Sequence, residues 1–484
     1  MKTKSTRLSR REFIKTGGVA AAGLMMGGLA PLDALAATAG QSPGAAATAA
    51  TDRVRLAVIG IGNRGWDNIR DFIKTGMCDI VALCDVDLDA GFCAPALAEC
   101  PNAKRFRDFR EMFDRITGEF DAVAIAIPDH SHFPAAMLAM STGKHVYVEK
   151  PMARTFNEAR LMMDMARRNP RLATQVGNQG HSGANYFQFK AWMDAGIIKD
   201  VYRVDAHMNS VRRWHSYDQN MRKYLDPQPM PRGLDWDTWL GTSMWHDYHE
   251  LYHPGEWRSW YDFGMGALGD WGAHILDSVH EFLMLGLPDE VDPERLDGRN
   301  DFFFPLASTI RFHFPARGAM PPVEVRWWDG ADNLPPLPEG YGASERDPSI
   351  PFSPQNSEVP DKLNPGKIIY SKELTFKGAT HGSPLSIIPA AKAREMASSL
   401  PGVPSGQSNH FANFLLACRG EESTRSPFEI HGPLSQMFSL GVIAQRLGRK
   451  LIVDRVNGSI VGDPIANALL TGAPPRLEWQ QFYE

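Results

Sequence analysis

Cysteine is scarce in this chain. Cys78, Cys84, Cys93, Cys100 and Cys418 are the only five in 484 residues, and none forms a C-x-x-C pair. That argues against a disulfide-built scaffold, a zinc ribbon or a dithiol centre, and the odd count leaves at least one thiol unpaired within the chain. Cys84 falls inside an apolar run and reads as a small buried hydrophobe. Excess positive charge is missing too: the formal net charge is −5. A nucleic-acid binder would need a basic patch against the phosphate field. Beyond residue 50 no apolar run approaches the ~20 residues a membrane span requires, and no repeat or heptad pattern occurs. What remains is globular composition, 43% apolar and 22% charged, at a length that exceeds one ordinary core and predicts two domains.

The N-terminus is read apart from the fold. Ser9-Arg10-Arg11-Glu12-Phe13-Ile14-Lys15 precedes an uncharged Ala/Gly/Met stretch from Thr16 to Leu32, and Ala34 and Ala36 offer a cleavage site. Paired arginines before a weakly hydrophobic core resemble a twin-arginine signal peptide. The expectation is a leader over residues 1–50, no permanent membrane anchor, and a mature protein in the periplasm or extracytoplasmic space. Losing those residues removes six basic and two acidic groups, leaving 45 basic against 54 acidic and a charge of −9. Because that export machinery carries folded proteins, a nucleotide enzyme sent by it is expected to hold its cofactor tightly.

The most informative stretch is Val54-Arg55-Leu56-Ala57-Val58-Ile59-Gly60-Ile61-Gly62-Asn63-Arg64-Gly65. A nearly uninterrupted apolar run reads as a buried parallel strand, and it empties into G-x-G-x-x-G. Gly60 suits the tight turn, Gly62 the approach of a pyrophosphate, and Gly65 the close packing of the following helix. The next apolar run, Ile80 to Cys84, ends at Asp85, 20 residues after Gly65, where a carboxylate would meet a ribose diol. A bare carboxylate there favours NAD over NADP, with Arg64 keeping NADP as the minor reading. An α/β Rossmann domain is therefore predicted over residues 51–175. Its further elements are a helix at 66–75, a covering helix that ends near Cys100-Pro101, a strand at 104–106 and a helix at 109–116.

Asp121 to Ile127 reads as a central strand stopping at Pro128-Asp129-His130-Ser131-His132. Asp129 and His132 either touch cofactor or substrate at the strand's carboxyl end or cap a helix at 134–140. Lys144 to Glu149 is a further strand, and Lys150 at its exit can donate to a substrate hydroxyl or developing alkoxide; Pro151 then fixes the turn, with a cis bond as one option. Farther on, a Gly-rich entry leads to Asp270 and His274 before a helix expected at 273–283. If the helix already holds at Asp270, the i,i+4 spacing puts both on one face, with His274 as proton acceptor and Asp270 orienting it or binding a neighbouring hydroxyl. Asp277 and His280 read as packing groups. Six of twelve tryptophans, from Trp236 to Trp271, lie together, suited to sugar stacking as well as to core. His246, His249 and His253 have a spacing compatible with metal, but Pro254 opposes a helix there and no metal is expected. Arg212, Arg213 and Trp214 either line a substrate entrance or are solvated. Residues 331–366 read as a long loop insertion, 410–417 and 435–447 as helices, and 456–484 as a C-terminal extension.

Gly60 to Gly65, Ile127 to His132 and Glu149-Lys150-Pro151 resemble the glucose-fructose oxidoreductase/inositol dehydrogenase/rhizopine-catabolism family, and the similarity extends over about residues 53–455. The resemblance implies a C-terminal α+β domain, here 176–455, built on a large open, mainly antiparallel sheet that shapes the substrate pocket and mediates a homodimer or homotetramer. Val201 to Met208, Ser308 to Phe314 and Val323 to Trp328 are strand candidates for it. It makes Lys150, with Asp270 and His274, the catalytic group, and brings Gln179 and His181 near the nicotinamide and substrate. The cofactor set becomes Gly60, Gly62, Asn63, Arg64, Gly65, Asp85, Pro128, Asp129, His132, Glu149, Lys150 and Gln179. The function implied is an exported NAD(P)-dependent sugar or polyol oxidoreductase. The alternative is redox-neutral glycoside cleavage by oxidation and elimination, which needs an extra base, with Tyr186, His181 and His215 as the nearest candidates. A non-catalytic sugar-binding protein would have no use for the Lys150, Asp270 and His274 set.

Overall fold

Apolar runs that end in turns build the first sheet. Its strands are β1 (Val54–Ile59), β2 (Cys78–Cys84), β3 (Lys104–Phe106), β4 (Ala122–Ile125), β5 (His145–Val148) and β6 (Thr174–Val176). They lie in the order β3-β2-β1-β4-β5-β6, all parallel. All four residues of β4 are buried, as expected of a strand covered by helices on both faces. The computed structural model describes residues 53–208, 220–341 and 363–483. The expected signal segment, the group Arg212, Arg213, Trp214 and His215, and the middle of the 331–366 insertion lie outside the described residues.

The strand order reverses between β1 and β4, and the crevice at such a reversal is where a doubly wound sheet takes its ligand. Three loops open there: the glycine loop after β1, Pro128-Asp129 after β4, and Glu149-Lys150 after β5. The helix Arg64–Lys74 leaves the glycine loop at once and buries Ile69 and Phe72. The helix expected at 134–140 begins earlier, at Asp129, and runs to Ser141 with Pro134 inside it. Its first turn is held by tertiary bonds to His130 and His132, which local periodicity does not reveal.

The second sheet holds nine strands: β7 (Val201–Met208), β8 (Glu290–Asp297), β9 (Ala307–Phe314), β10 (Val323–Asp329), β11 (Gly366–Ser371), β12 (Thr375–Gly378), β13 (Leu385–Ile388), β14 (Leu451–Asp454) and β15 (Ser459–Ile460). Their order is β13-β12-β11-β7-β10-β9-β8-β14-β15. Every pairing is antiparallel except β7 with β10. One face packs on helices through Val204, Ala206, Phe312, Val325 and Trp327. The opposite face carries a lattice of charges in which Arg311 meets Glu290, Asp292 and Glu294.

The single helix expected at 273–283 is two, Gly266–Ile275 and Asp277–Phe282, joined at Leu276. Helical geometry thus already holds at Asp270. The helix expected at 435–447 starts at Phe428, just after Pro427. Within residues 456–483, β15 joins the second sheet, while Trp479 is buried in the core of the first domain and Tyr483 donates to Glu158 at 2.6 Å.

Candidate active site

The glycine loop is shaped by contacts that leave no room for side chains. Gly60 has φ +81°, and a Cβ there would lie 2.3 Å from the Ala126 carbonyl oxygen. At Gly65 a Cβ would lie 2.0 Å from the Gly60 oxygen; this glycine lets helix and strand close together. A Cβ at Gly62 would fall 2.3 Å from the Phe92 ring, which rests over the loop. Asp85 ends β2 as expected, accepting from the Ile61 amide at 2.9 Å and the Asp87 amide at 3.0 Å.

A cavity of about 670 Å³ runs from this loop to the second domain, with Asp85, Phe92 and Arg107 at one end and Lys150, His274 and His381 at the other. The first end is roofed by chain from beyond the Rossmann domain. Asp235 donates its amide to the Val86 carbonyl, His253 faces Asp87 at 3.3 Å, and Arg107 donates to the Gly233 carbonyl. Trp239, His253 and Trp257 line the cavity there.

Lys150 stands at the other end, joined to Pro151 by a cis bond. Its Nζ donates to Asp270 twice, to Oδ1 at 2.6 Å and to the main-chain oxygen at 2.8 Å. Both side chains are mostly buried, at 13% and 6% exposure. Arg258, which stacks on Trp257, reaches the same carboxylate oxygen at 3.6 Å. Asp270 therefore serves as the counter-ion of Lys150. His274 sits one turn on, and its ring nitrogens have no hydrogen-bond partner among the described residues. Its ring instead stacks on His381, with centroids 3.8 Å apart and planes at 27°. Burial, then the Lys150 charge and His381, push the His274 pKa well below its usual value, so the imidazole is neutral and open to the cavity.

Other expected residues have structural duties. His132 lines the cavity, but its Nδ1 faces the Pro151 oxygen and its Nε2 the Ile127 oxygen, both at 2.8 Å, so it clips the loops after β4 and β5 together. Glu149 accepts from Arg64 at 3.0 Å and Asn68 at 2.9 Å, and Gln179 donates to the Tyr147 hydroxyl at 3.0 Å. Asp129 accepts from the Met265 amide, and burial, opposed by Arg258, raises its pKa to about 7. Pro128 and Asn63 line the cavity. His181 is wholly buried and lies between Asp277 at 3.2 Å and Glu281 at 2.7 Å. Burial opposes its charge, but the two carboxylates outweigh that and raise it to about 9. Tyr186 donates to Glu281 at 3.3 Å. His246, His249 and His253 point to different partners, Asp262, the Leu251 amide and Asp87. Among the described residues no three His, Cys, Asp or Glu side chains are grouped to hold a metal ion.

Arg258 and His381 are among the cavity residues that escaped the sequence reading. Arg258 sits in an aromatic run that draws attention to its rings. His381 lies in the loop between β12 and β13, where only a Thr380-His381-Gly382 turn marks it.

Residues 54–177 match the Gfo/Idh/MocA oxidoreductase family with its NAD-binding Rossmann fold, and residues 183–297 match the family's C-terminal alpha/beta domain. The chain belongs to the Gfo/Idh/MocA family. Its first domain is an NAD-binding domain, and NAD is its cofactor. The residues fit a dinucleotide: the three glycines put no side chain of their own into the cavity, the Asp85 carboxylate lines it at the end of β2, and the buried Arg64 Nη2 has no hydrogen-bond partner among the described residues. Among curated relatives, a glycosyl hydrolase family 109 protein of Shewanella pealeana is 30% identical over 43% of this chain and 47% of its own length. An alpha-N-acetylgalactosaminidase of Shewanella oneidensis is 26% identical over 44% and 48%. The chain thus spans about half the length of the curated relatives it matches. Among solved structures, the WlbA dehydrogenase of Bordetella pertussis, in complex with NADH and UDP-GlcNAcA, superposes with TM-score 0.52 at 14% identity, covering 83% of this chain and 99% of its own. An NAD-binding protein of Listeria innocua gives TM-score 0.52 at 15% identity, covering 83% and 97%.

Proposed function

We propose that this protein is an exported oxidoreductase acting on a CH–OH group of a sugar or polyol, with NAD held as a resident cofactor. The observation that carries the reading is the buried Lys150–Asp270 pair at 2.6 Å, facing the same cavity as a neutral His274 whose ring nitrogens have no hydrogen-bond partner among the described residues. Bound NAD supplies the acceptor for the hydride that leaves the substrate carbon. The protein's own groups handle the rest. Lysine has three N–H donors; two of those on Lys150 reach Asp270, and the third is available to the substrate oxygen. Donation there steadies negative charge as the O–H proton departs. His274 takes that proton, its neutral state leaving a lone pair for it. Arg64, tethered by Glu149, offers its free Nη2 to the cofactor's polar groups.

The roof over the adenosine end, built by residues 233–257, supports tight retention. A captive cofactor must be reoxidised in place, and a second carbonyl substrate in a ping-pong cycle would do this. Export by the twin-arginine route, work outside the cytoplasm and assembly as a homodimer or homotetramer belong to the same proposal.

Redox-neutral glycoside cleavage is the second reading. The family 109 relatives favour it, as does His381, an additional imidazole in the cavity. To test the first reading, mature protein is purified without added nucleotide, the bound species is identified by mass, and its reduced-form absorbance is followed with a panel of sugars and glycosides. Stoichiometric reduction that waits for a carbonyl acceptor is expected. Steady aglycone release without net reduction would favour the second reading, and protein that neither holds nor binds NAD would overturn both.

A further inference from the structure

We infer that residues 476–483 form a strap that fastens the roof over the bound nucleotide, and that Arg476 is the positioning residue that sets how fast NAD enters and leaves.

The roof is a weak element by itself. Its helix, Trp236–Leu240, has five residues, too few to stand alone in water, and a helix that short leaves carbonyls at its end with no partner inside it. Arg476 supplies the donors. Its Nη2 donates to the main-chain oxygens of Asp237 at 2.8 Å and Gly241 at 2.9 Å, and its Nη1 pairs with the Asp237 carboxylate. A planar guanidinium reaches all three with one rigid fork, a geometry an ammonium lacks. The helix so held carries Thr238 and Trp239, both of which line the cavity.

The far end of the strap is anchored in the Rossmann domain. Trp479 and Phe482 are buried in its core, which gives the strap an apolar hold of its own. The Arg110 guanidinium lies 4.2 Å over the Trp479 ring and also reaches the Thr238 hydroxyl at 3.5 Å and the Asp237 carboxylate at 3.7 Å, so strap and roof share one cation. Tyr483 packs on Phe133 with ring centroids 4.6 Å apart and donates to Glu158. A separate contact, His130 Nε2 facing the Trp239 oxygen at 2.7 Å, keeps the roof in place when Arg476 is lost.

Arg476 is not among the residues that line the cavity, so it acts on the roof and not on the nucleotide. Loss of its contacts destabilises the closed roof equally with the cavity full or empty, and the open fraction rises by the same factor in both. Entry and exit of NAD therefore speed up together, and the Kd hardly moves. A residue that gripped the nucleotide directly would change exit and affinity instead. This inference rests on the reading above only in taking NAD to be resident, and it holds for either reaction.

The test follows NADH by fluorescence: its release from the loaded protein when excess NAD is added, then its binding to nucleotide-depleted protein, the two rates giving the Kd. Global unfolding is measured beside them. In Arg476→Ala both rates are expected to rise about 30-fold, as the loss of its charge-assisted hydrogen bonds implies, while the Kd stays within about threefold. Millimolar guanidinium, which refills the donor site, should slow both again. Asp237→Asn keeps the main-chain oxygens and loses only the carboxylate; it should raise both rates about fivefold, and it carries the test if Arg476→Ala does not fold. Unchanged release would overturn the strap. So would faster release with a matching loss of affinity, which would put Arg476 in nucleotide binding or in general stability. Wild type that exchanges NADH as fast as the two meet would instead remove the resident cofactor, and this inference with it.

Discussion

Replacing Asp270 with asparagine should strip Lys150 of its counter-ion and slow the reaction it supports. The ammonium and carboxylate stand 2.6 Å apart with 13% and 6% of their side chains exposed. At an effective dielectric of about 20 their gross attraction is about 6 kcal/mol, and breaking such a buried pair costs about 3–5 kcal/mol. The Asp270 main-chain oxygen, at 2.8 Å, remains to hold Nζ, and the amide oxygen replaces part of the lost contact. About 3 kcal/mol is therefore the expected loss of stabilisation of the Lys150 ammonium. The rate of nicotinamide reduction should fall about 100-fold. Single-turnover reduction, with nucleotide content checked beside it, is the assay. A variant within about threefold of wild type would refute Asp270 as the working counter-ion of Lys150.

Lys150→Ala should lower turnover by at least about 100-fold while leaving bound NAD nearly unchanged, since the adenosine end of the cavity is built by other residues; nucleotide release beside kinetics checks it. Gly65→Ala should cost at least about 2 kcal/mol and reduce NAD occupancy, because its Cβ would lie 2.0 Å from the Gly60 oxygen and must push helix from strand; denaturant unfolding and bound-nucleotide content measure both. His181 should make stability pH-dependent. Its folded-state value of about 9 lies above the ordinary 6.5, so its contribution is full below pH 6.5 and is lost as pH rises through 9, up to about 3 kcal/mol over that window. Unfolding free energies across that range should show the decline in wild type and a flatter curve in His181→Gln.

Lys150 and the Asp270–His274 pair could be read in sequence because each has a local signature: a strand that stops at E-K-P, and an i,i+4 spacing on a helix. What Asp270 does with its charge could not. Local spacing offers His274 as its partner, but the fold delivers Lys150 from 120 residues away, and the stronger charge pairing wins. His132 misleads for a related reason. Its position after a central strand looks like a ligand contact, but both ring nitrogens meet main-chain oxygens that exist only once β4 and β5 are paired. His381 was out of reach because short strands such as β12 and β13 have too few residues for a period to show, and a lone histidine in a turn has many possible uses. The nine-stranded sheet was visible only at its central members, β7, β9 and β10, where apolar and polar residues alternate or β-branched residues cluster.

The two ends of the cavity impose one economy on the chemistry. At the adenosine end, Asp235, His253 and Arg107 stitch the roof to the Rossmann domain through Val86, Asp87 and Gly233, so exchange of the dinucleotide would require several of these contacts to part together. At the reacting end, His274 is neutral and solvent-poor, whereas His381 is exposed. On the reading proposed above, this arrangement shields the nucleotide and leaves the reacting end accessible, so that the hydride is returned to a carbonyl entering through the open end. Reduction that stalls until such a carbonyl is added is the outcome that separates this cycle from aglycone release on the same ring.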